Sequence, residues 1–420
     1  MAIEVSRPGA SVEAGWFGGQ TVSCKAFAGQ SEDGAVIGPD PVVAKGDRTL
    51  GLRARRSGTD MEGDHWPHGS CDGAGRSLSD LRKRGSEFFE SLSVGELVRE
   101  THRNLWVSDW SRIADEYRAF AESARGDGSL QVAREAWLCS LTALEVARNV
   151  SCPGDPASTD LADKVGINLR GLEEDAGSAI ERVQIDGFDQ GSLAGYFMPA
   201  FRDGRSAPAV ICVSDEPTTL GSMMNRLLPV ACRRNMSLLL VDAGHSSVRR
   251  PARPEHVLQC WLDYLEARPD VDPQRIAIYG EGAGASHASG LALLDRRMAA
   301  AVCDGGIAAP IMRRASLRWM VGAEPAVRDA TPAGSLLPSR RIACPLLVVA
   351  GSRSMVSEED ALELQAFYRQ AEADCSTVVP NCILHPLGEV ENFIAVDDFI
   401  FEWLAGKLGA DRQLDPVTYL

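Results

Sequence analysis

Five short, strongly apolar runs in the second half of the chain restrict its fold more than any other feature. They cover residues 209–213, 237–241, 276–279, 300–303 and 346–349. Runs of this kind are typical of parallel strands that are covered on both faces. Segments with helical periodicity, such as 257–267, separate them. This alternation predicts an α/β fold with a right-handed, mostly parallel sheet and helices on both faces.

Periodicity also predicts how the chain is divided. Residues 1–75 are rich in Gly, Ser and Asp and lack a sustained period, which favours a disordered tail. Helical spacing of apolar residues predicts a helical cap or lid domain over 76–178. The α/β domain then spans 179–410 and opens with a hairpin, and 411–420 form a C-terminal tail.

Three tryptophans in the helical segment admit two interpretations. Trp106, Trp110 and Trp137 fall on the apolar stripes of long helices. Aromatic residues at this spacing more often pack a helical core, and lining a ligand pocket is the alternative.

Charge and composition exclude several classes of partner. The formal net charge is -15, whereas nucleic acids and anionic membranes are bound by clustered Lys and Arg. No apolar run approaches the roughly 20 residues that cross a bilayer, and the N-terminus does not resemble a signal peptide. The 11 cysteines are scattered singly, which indicates reduced thiols and a cytoplasmic location.

We expect neither a metal nor another cofactor. The stretch 65–71 places His65, His68 and Cys71 at metal-like intervals. A structural zinc site normally needs four ligands, and the sequence offers no second cluster to complete the set. A polar tail is therefore the favoured interpretation of this stretch.

Glycines at alternate positions follow the apolar run 276–279. The residues are Gly280-Glu281-Gly282-Ala283-Gly284, and a helix rich in small residues begins after them. A strand, a turn of the form Gly-x-Ser-x-Gly and a helix make up a nucleophile elbow, which lifts a serine above the sheet. Gly282 occupies the central position and has no oxygen that could attack a carbonyl carbon.

Over residues 180–410 the chain therefore resembles the α/β-hydrolase superfamily. It is similar in particular to the branch with an N-terminal helical domain, which includes 2,6-dihydroxypseudooxynicotine hydrolase, fungal heptaketide pigment hydrolases and fermentation-respiration switch proteins. The stretches 133–138, 242–246 and 261–279 carry this narrower resemblance. It implies a hydrolase-type sheet with a helical cap.

The resemblance also implies where a Ser-His-Asp triad would lie. The nucleophile position falls on Gly282, the acid position on Ser354 and the histidine position on Val390. A shift of one residue would place Glu389 or Glu391 in the histidine position instead. Three departures together indicate that hydrolysis by such a triad is abandoned.

Polar residues near the strand ends are candidates for other chemistry. Asp215 and Glu216 follow the strand at 209–213, where the resembling branch has glycines of the oxyanion hole. A carboxylate in the pocket would act as a general base. The alternative without a catalytic role is that both residues face solvent and cap the next helix. His245 follows the strand at 237–241 and could serve as acid or base, or it could be a solvated loop histidine. Glu281 is assigned a supporting role.

Two classes of function follow from these residues. The first is a cofactor-free enzyme acting on a small, polyketide-like or aromatic metabolite by cyclisation, elimination or bond cleavage, with Asp215 and His245 transferring protons. The second is a non-catalytic pseudohydrolase that binds a small molecule or a protein, and a homodimer is left open. In either case, the residues expected to contact the ligand are Ser214, Glu216, Gly282, Ala283, Ser354 and Val390.

Overall fold

The computed structural model describes residues 2–6, 77–151, 156–173, 180–187, 191–200, 206–214, 217–242, 254–305, 307, 341–351, 354, 356–385 and 388–410. The helices in these ranges are α1 (Leu78–Ser91), α2 (Val94–Leu97), α3 (Glu100–Gly126), α4 (Leu130–Val150), α5 (Pro156–Glu173), α6 (Pro217–Cys232), α7 (Pro254–Glu266), α8 (Gly284–Leu294), α9 (Glu358–Gln370) and α10 (Phe393–Leu408). None of these helices is long and apolar enough to cross a membrane.

Strands build one large sheet and one separate hairpin. The strands are β1 (Ala2–Ser6), β2 (Glu181–Gly187), β3 (Gly191–Met198), β4 (Ala207–Ser214), β5 (Ser237–Asp242), β6 (Val271–Glu281), β7 (Ala300–Asp304), β8 (Leu346–Val349), β9 (Cys375–Val378), β10 (Cys382–His385) and β11 (Gly388–Glu391). The order in the large sheet is β1-β2-β3-β5-β4-β6-β7-β8-β9, and β10 pairs with β11. From β5 to β9 every neighbouring pair is parallel, whereas β1, β2 and β3 pair antiparallel.

The predicted fold class is confirmed. Each of the five apolar runs forms a parallel strand of the sheet, and the predicted hairpin is β2 and β3. Alternate residues of a strand point to opposite faces, so a run that is apolar throughout supplies both faces of the sheet. In β5, Leu238 and Leu240 face one hydrophobic cluster while Leu239 and Val241 face the other.

The helices that precede the sheet share a hydrophobic core with one of its faces. Trp110, Trp137 and Trp106 are buried in the same cluster as residues of α6, α10 and the central strands. This burial agrees with the core interpretation of the tryptophans. Arg82 of α1 also reaches α10, where its Nε lies 3.2 Å from Asp398 Oδ1. Helices α1–α5 lie within 78–173, inside the predicted segment 76–178.

Strand β1 requires a correction to the predicted tail. Residues 2–6 pair antiparallel with β2, from Ala2 opposite Asp186 to Ser6 opposite Arg182. From Ile3 to Ser6 the sequence alternates apolar and polar residues, the pattern of a strand with one covered face. A tail without regular structure is therefore wrong for these five residues, and 7–76 lie outside the described residues. The predicted tail at 411–420 also lies outside them.

The cysteines that the structure describes are free thiols, and several are buried. Burial raises the pKa of Cys344 to about 11, and burial together with Asp374 raises the pKa of Cys375 to about 12. Burial favours the neutral thiol over the thiolate. The stabilisation that comes from this preference is therefore fully present below about pH 8.5, the pKa of a cysteine in the unfolded chain. The contribution is lost as the pH rises through the folded-state values.

We therefore expect Cys344 and Cys375 to react slowly in the native protein. At pH 8.5, reaction with an aromatic disulfide reagent should be at least about tenfold slower than in protein unfolded by urea, because only the thiolate attacks. Peptide mapping by mass spectrometry would assign the rate to each cysteine. Equal rates in the folded and unfolded protein would contradict the expectation.

Candidate active site at the strand ends

Two glycines shape the turn between β6 and α8 by leaving no room for a side chain. A Cβ at Gly280 would lie 2.4 Å from the carbonyl oxygen of Gly284 and 2.7 Å from the Cβ of Ala288. A Cβ at Gly284 would lie 2.4 Å from the carbonyl oxygen of Val213 in β4. Because these neighbours are largely backbone, the turn can form only with glycine at both positions. This is the packing that a nucleophile elbow needs.

Gly282 lies at the tip of this turn. Its φ is +58°, in the left-handed region where residues with a side chain are strained. Its N–H donates to the carbonyl oxygen of Asp304, at 2.7 Å, which ties the turn to the end of β7. A Cβ at residue 282 would meet no heavy atom of the described residues within 4 Å, apart from its chain neighbours. The position thus combines the elbow conformation with a residue that carries no nucleophile, and no described residue fills the space beside it.

Two other predicted ligand contacts lie beside the turn. Ala283 is the N-cap of α8, so its backbone lies at the helix end where N–H groups have no partner within the helix. Ser214 ends β4 and is buried, and its Cα lies 3.5 Å from the Cβ position of Gly284. The structure therefore brings Ser214, Gly282 and Ala283 together. The N–H of Ala283, at the N-terminal end of α8, is suited to stabilising negative charge.

Ser354 and Val390 are both engaged in local structure. The Ser354 hydroxyl donates to the carbonyl oxygen of Val356 at 2.9 Å and accepts from its N–H at 3.1 Å, which closes a small turn before α9. Val390 is buried in the cluster that the helices share with the sheet. A ligand contact by either side chain stays a prediction.

The predicted proton-transfer residues lie outside the described residues. Asp215 and Glu216 fall between β4 and α6, and His245 falls after β5. The strands that lead to these positions end at the same edge of the sheet as Gly282. Within the described ranges, no group of three or more His, Cys, Asp or Glu side chains could hold a metal ion.

Glu281, which precedes the turn, is held by Arg226 of α6. The guanidinium donates to both carboxylate oxygens, with Nη1 at 3.1 Å from Oε1. Arg226 Nε lies 2.7 Å from Asp397 Oδ2 of α10, a close ion pair that is not aligned as a hydrogen bond. Burial alone would lower the pKa of Arg226, but Asp397 and Glu281 outweigh it and raise that pKa well above its ordinary value. The contacts give Glu281 the supporting role that the sequence predicted.

Tyr279 extends this network to the next strand. Its hydroxyl accepts from Arg226 Nη2 at 2.8 Å and lies 2.9 Å from Asp304 Oδ2, to which it can donate. Tyr279, Arg226, Asp304 and Asp397 are all buried. We use the name elbow network for Arg226, Tyr279, Glu281, Asp304 and Asp397. Sequence analysis missed four of its five members, because a buried polar residue leaves no periodic signal.

The helical segment contacts this region through α4. Arg148 pairs with the buried Glu145, and its Nη2 donates to Ser222 Oγ of α6 at 2.7 Å. The charge of Glu145 is the main cause that raises the pKa of Arg148, with a further contribution from Glu281. The end of α4 thus lies close to the elbow network.

A separate groove of about 500 Å³ lies between α3 and α5. Its cations, Lys164 and Arg112, already pair with acidic residues, including Asp115 and Glu116. Its lining residues are Asn104, Val107, Ser108, Ser111, Arg112, Asp115, Ala157, Asp160, Leu161 and Lys164.

Comparison with known proteins gives structural likeness alone. No family model and no curated protein sequence matches the chain. Among solved structures, 2,6-dihydroxy-pseudo-oxynicotine hydrolase is 18% identical with a TM-score of 0.47, over 80% of this chain and 98% of that chain. AbyA5 is 16% identical with a TM-score of 0.43, over 73% and 89%. A Pyrobaculum calidifontis esterase is 15% identical with a TM-score of 0.39, over 67% and 94%.

Strand order and the position of the turn decide the fold. From β2 to β9 the sheet begins with one antiparallel hairpin and continues with parallel strands. β5 lies between β3 and β4, so the spatial order of β4 and β5 is the reverse of their order in sequence. The glycine turn follows the central strand β6 and leads directly into α8. The chain has the α/β-hydrolase fold. In this α/β-hydrolase fold the carboxyl ends of β4, β6 and β7 meet around Gly282.

Proposed function

We propose that this α/β-hydrolase-fold protein is an enzyme that works by acid-base chemistry, without a cofactor, on a small organic molecule. The observation that carries the proposal is the elbow at Gly282, which keeps its conformation and is not filled by any described residue but presents no nucleophile. A degenerate triad beside a preserved elbow supports a different reaction over loss of function.

The contacts of the other triad positions support the loss of acyl transfer. The Ser354 hydroxyl is bonded within its own turn, and Val390 is an aliphatic residue in the core. Ser354 carries no charge with which to orient and stabilise a histidine, as the acid of a triad does, and Val390 cannot take a proton from a nucleophile, as the histidine does. The reaction classes that remain are cyclisation, elimination and C–C or C–O bond cleavage, and a polyketide-like or aromatic metabolite of a bacterial biosynthetic pathway is the proposed substrate.

Asp215 and His245 are the proposed proton-transfer residues. Each follows a strand that ends at the edge of the sheet where Gly282 lies, which is where α/β folds bind their ligands. The N–H of Ala283 would stabilise negative charge that develops on the substrate. Ser214, Glu216, Gly282, Ser354 and Val390 complete the proposed substrate contacts.

A pseudohydrolase that binds a small molecule or a protein partner is the second candidate. The burial of Val390 favours it, since a core side chain in the histidine position needs no chemistry. The two candidates differ in one observable property, which is whether the protein turns over a probe for proton abstraction.

The protein should show no hydrolysis that depends on a serine. We expect no turnover of 4-nitrophenyl acetate above buffer and no labelling by a fluorophosphonate, because residue 282 lacks an oxygen. Gly282→Ser alone should not restore normal esterase activity, since Ser354 and Val390 supply neither acid nor base. Stoichiometric labelling of the wild type, mapped to a serine near the elbow, would contradict this expectation.

A carbon-acid probe tests the proposed chemistry directly. The wild type should accelerate the ring opening of 5-nitrobenzisoxazole above acetate buffer, because that reaction needs only a base and a donor to the leaving oxygen. The double variant Asp215→Asn, His245→Gln should lose roughly 100-fold in kcat. A wild type that binds the probe without turning it over would favour the pseudohydrolase.

A further inference from the structure

Glu391 is a buried carboxylate that reaches the strand ends from β11. It follows Val390, and successive residues of a strand point to opposite faces. The Val390 side chain enters the core that the helices share with the sheet. Glu391 therefore points away from that core, and it is only 6% exposed. Two neighbouring residues of β11 thus place an aliphatic side chain in the core and a buried carboxylate on the opposite face of the strand.

The contacts of Glu391 place its carboxylate at the ends of β8 and β9. A Cβ at Gly351, which follows β8, would lie 2.4 Å from Glu391 Oε2 and 3.1 Å from Cγ of Pro380, which follows β9. The carboxylate thus fills the space that glycine leaves at residue 351. The Cys382 thiol, opposite Glu391 in the hairpin, lies 3.4 Å from the same oxygen. Gly351 begins the loop that contains Ser354.

The position of Glu391 relative to the elbow suits a small substrate. Gly282 follows β6 and Gly351 follows β8, with β7 between them. Two strand spacings put these two residues roughly 10 Å apart. This separation matches a substrate a few ångströms across that contacts the carboxylate on one side and the Ala283 N–H on the other. Burial also removes water that would compete for the carboxylate.

We propose that Glu391 is the general base of this site and that the substrate is a neutral carbon acid. This inference rests on the proposed acid-base function. It gives the abstraction of the carbon proton to Glu391 and leaves Asp215 and His245 to donate a proton to the leaving oxygen. The Glu391 carboxylate takes a proton from a substrate carbon, and the C–H electron pair moves into a new π bond. Negative charge then reaches an oxygen that faces the Ala283 N–H, either as an enolate or as a leaving group. Proton and electrons balance without any other reactant.

The probe 5-nitrobenzisoxazole reproduces this step. Its C3 proton passes to Glu391, the electron pair forms the third bond of a nitrile, and the ring N–O bond breaks to release 2-cyano-4-nitrophenolate. Glu391→Gln should lower kcat by roughly 100-fold or more with little change in KM. Glu391→Asp, which keeps the carboxylate on a shorter stem, should retain more activity than Glu391→Gln.

Further variants separate a base from a residue that only supports the loop. Glu391→Ala should regain activity when formate is added, since a small carboxylate can occupy the vacated space, and a supporting role predicts no such recovery. Gly351→Ala should displace the carboxylate and lower kcat in a protein that still folds. Glu90→Gln, an exposed residue of α1, is the matched control and should behave as the wild type.

The outcomes distinguish the two proposals. A wild type no faster than acetate buffer overturns the proposed function and this inference with it. An active wild type whose activity survives Glu391→Gln overturns the inference and leaves the proposed function in place. An active wild type that loses turnover in Glu391→Gln and regains it with formate in Glu391→Ala supports both. Circular dichroism and melting temperatures of all variants show whether each one is folded.

Discussion

Replacing Arg226 with methionine is expected to lower the free energy of unfolding by about 3–5 kcal/mol. The change keeps most of the side-chain length but removes the charge from the centre of the elbow network. Glu281 and the fully buried Asp397 would then both lose the cation that they contact. An uncompensated buried charge costs far more than the pair contributes when it is intact. Urea denaturation, followed by tryptophan fluorescence, measures the loss.

Two further variants show whether charge is the cause. Arg112→Met removes an arginine of the exposed pair with Glu116, and we expect a loss of no more than about 1 kcal/mol. Adding Glu281→Gln and Asp397→Asn to Arg226→Met should recover more than about 1 kcal/mol, because the uncompensated carboxylates are gone. If Arg226→Met alone were as stable as the wild type, the elbow network would contribute little to the free energy of unfolding.

Much of the fold could be predicted because its strongest signals are local. Each apolar run is long enough for a strand and lacks the alternation of a half-covered one, so the parallel sheet follows from the runs themselves. The glycine turn was equally local. Gly280 and Gly284 lie within five residues, and both are forced by contacts that the turn itself creates or that β4 supplies.

The elbow network could not be predicted, because its members come together only through the tertiary fold. Arg226 and Asp397 are 171 positions apart in sequence, and neither lies in a motif. A buried ion pair depends on which helix covers which strand, and the periodicity of the sequence does not indicate how helices and strands are packed together. The nearest local signal is that Tyr279 and Glu281, at alternate positions, bring polar groups to the end of an otherwise apolar strand.

The histidine position shows how register limits a prediction. The resemblance places Val390 there, and a shift of one residue gives Glu389 or Glu391 instead. In β11 a shift of one residue reverses the face on which a side chain lies. The core contact of Val390 and the Gly351 contact of Glu391 follow from that register, which is set by the pairing of β11 with β10.

Gly284→Ala should be among the most disruptive single methyl additions in the protein. The new Cβ would lie 2.4 Å from the carbonyl oxygen of Val213 and 3.1 Å from its carbonyl carbon. β4 is hydrogen-bonded on both sides, to β5 and to β6, so its backbone cannot give way without breaking the sheet. We expect a loss of at least about 3 kcal/mol, at the upper end of the range for overpacking. Urea denaturation, or loss of soluble protein, measures the effect.

Gly282→Ala is the matched control, two residues away in the same turn. Its new methyl group would meet no heavy atom of the described residues within 4 Å, apart from its chain neighbours, so the main resistance comes from the backbone conformation. A φ of +58° costs a residue with a side chain about 1–2 kcal/mol, partly offset by the smaller entropy of the unfolded chain. A net loss near 1 kcal/mol is therefore expected. If Gly282→Ala destabilised the protein as much as Gly284→Ala, the space at the nucleophile position would be closed, and the site proposed around it would have no room for a substrate.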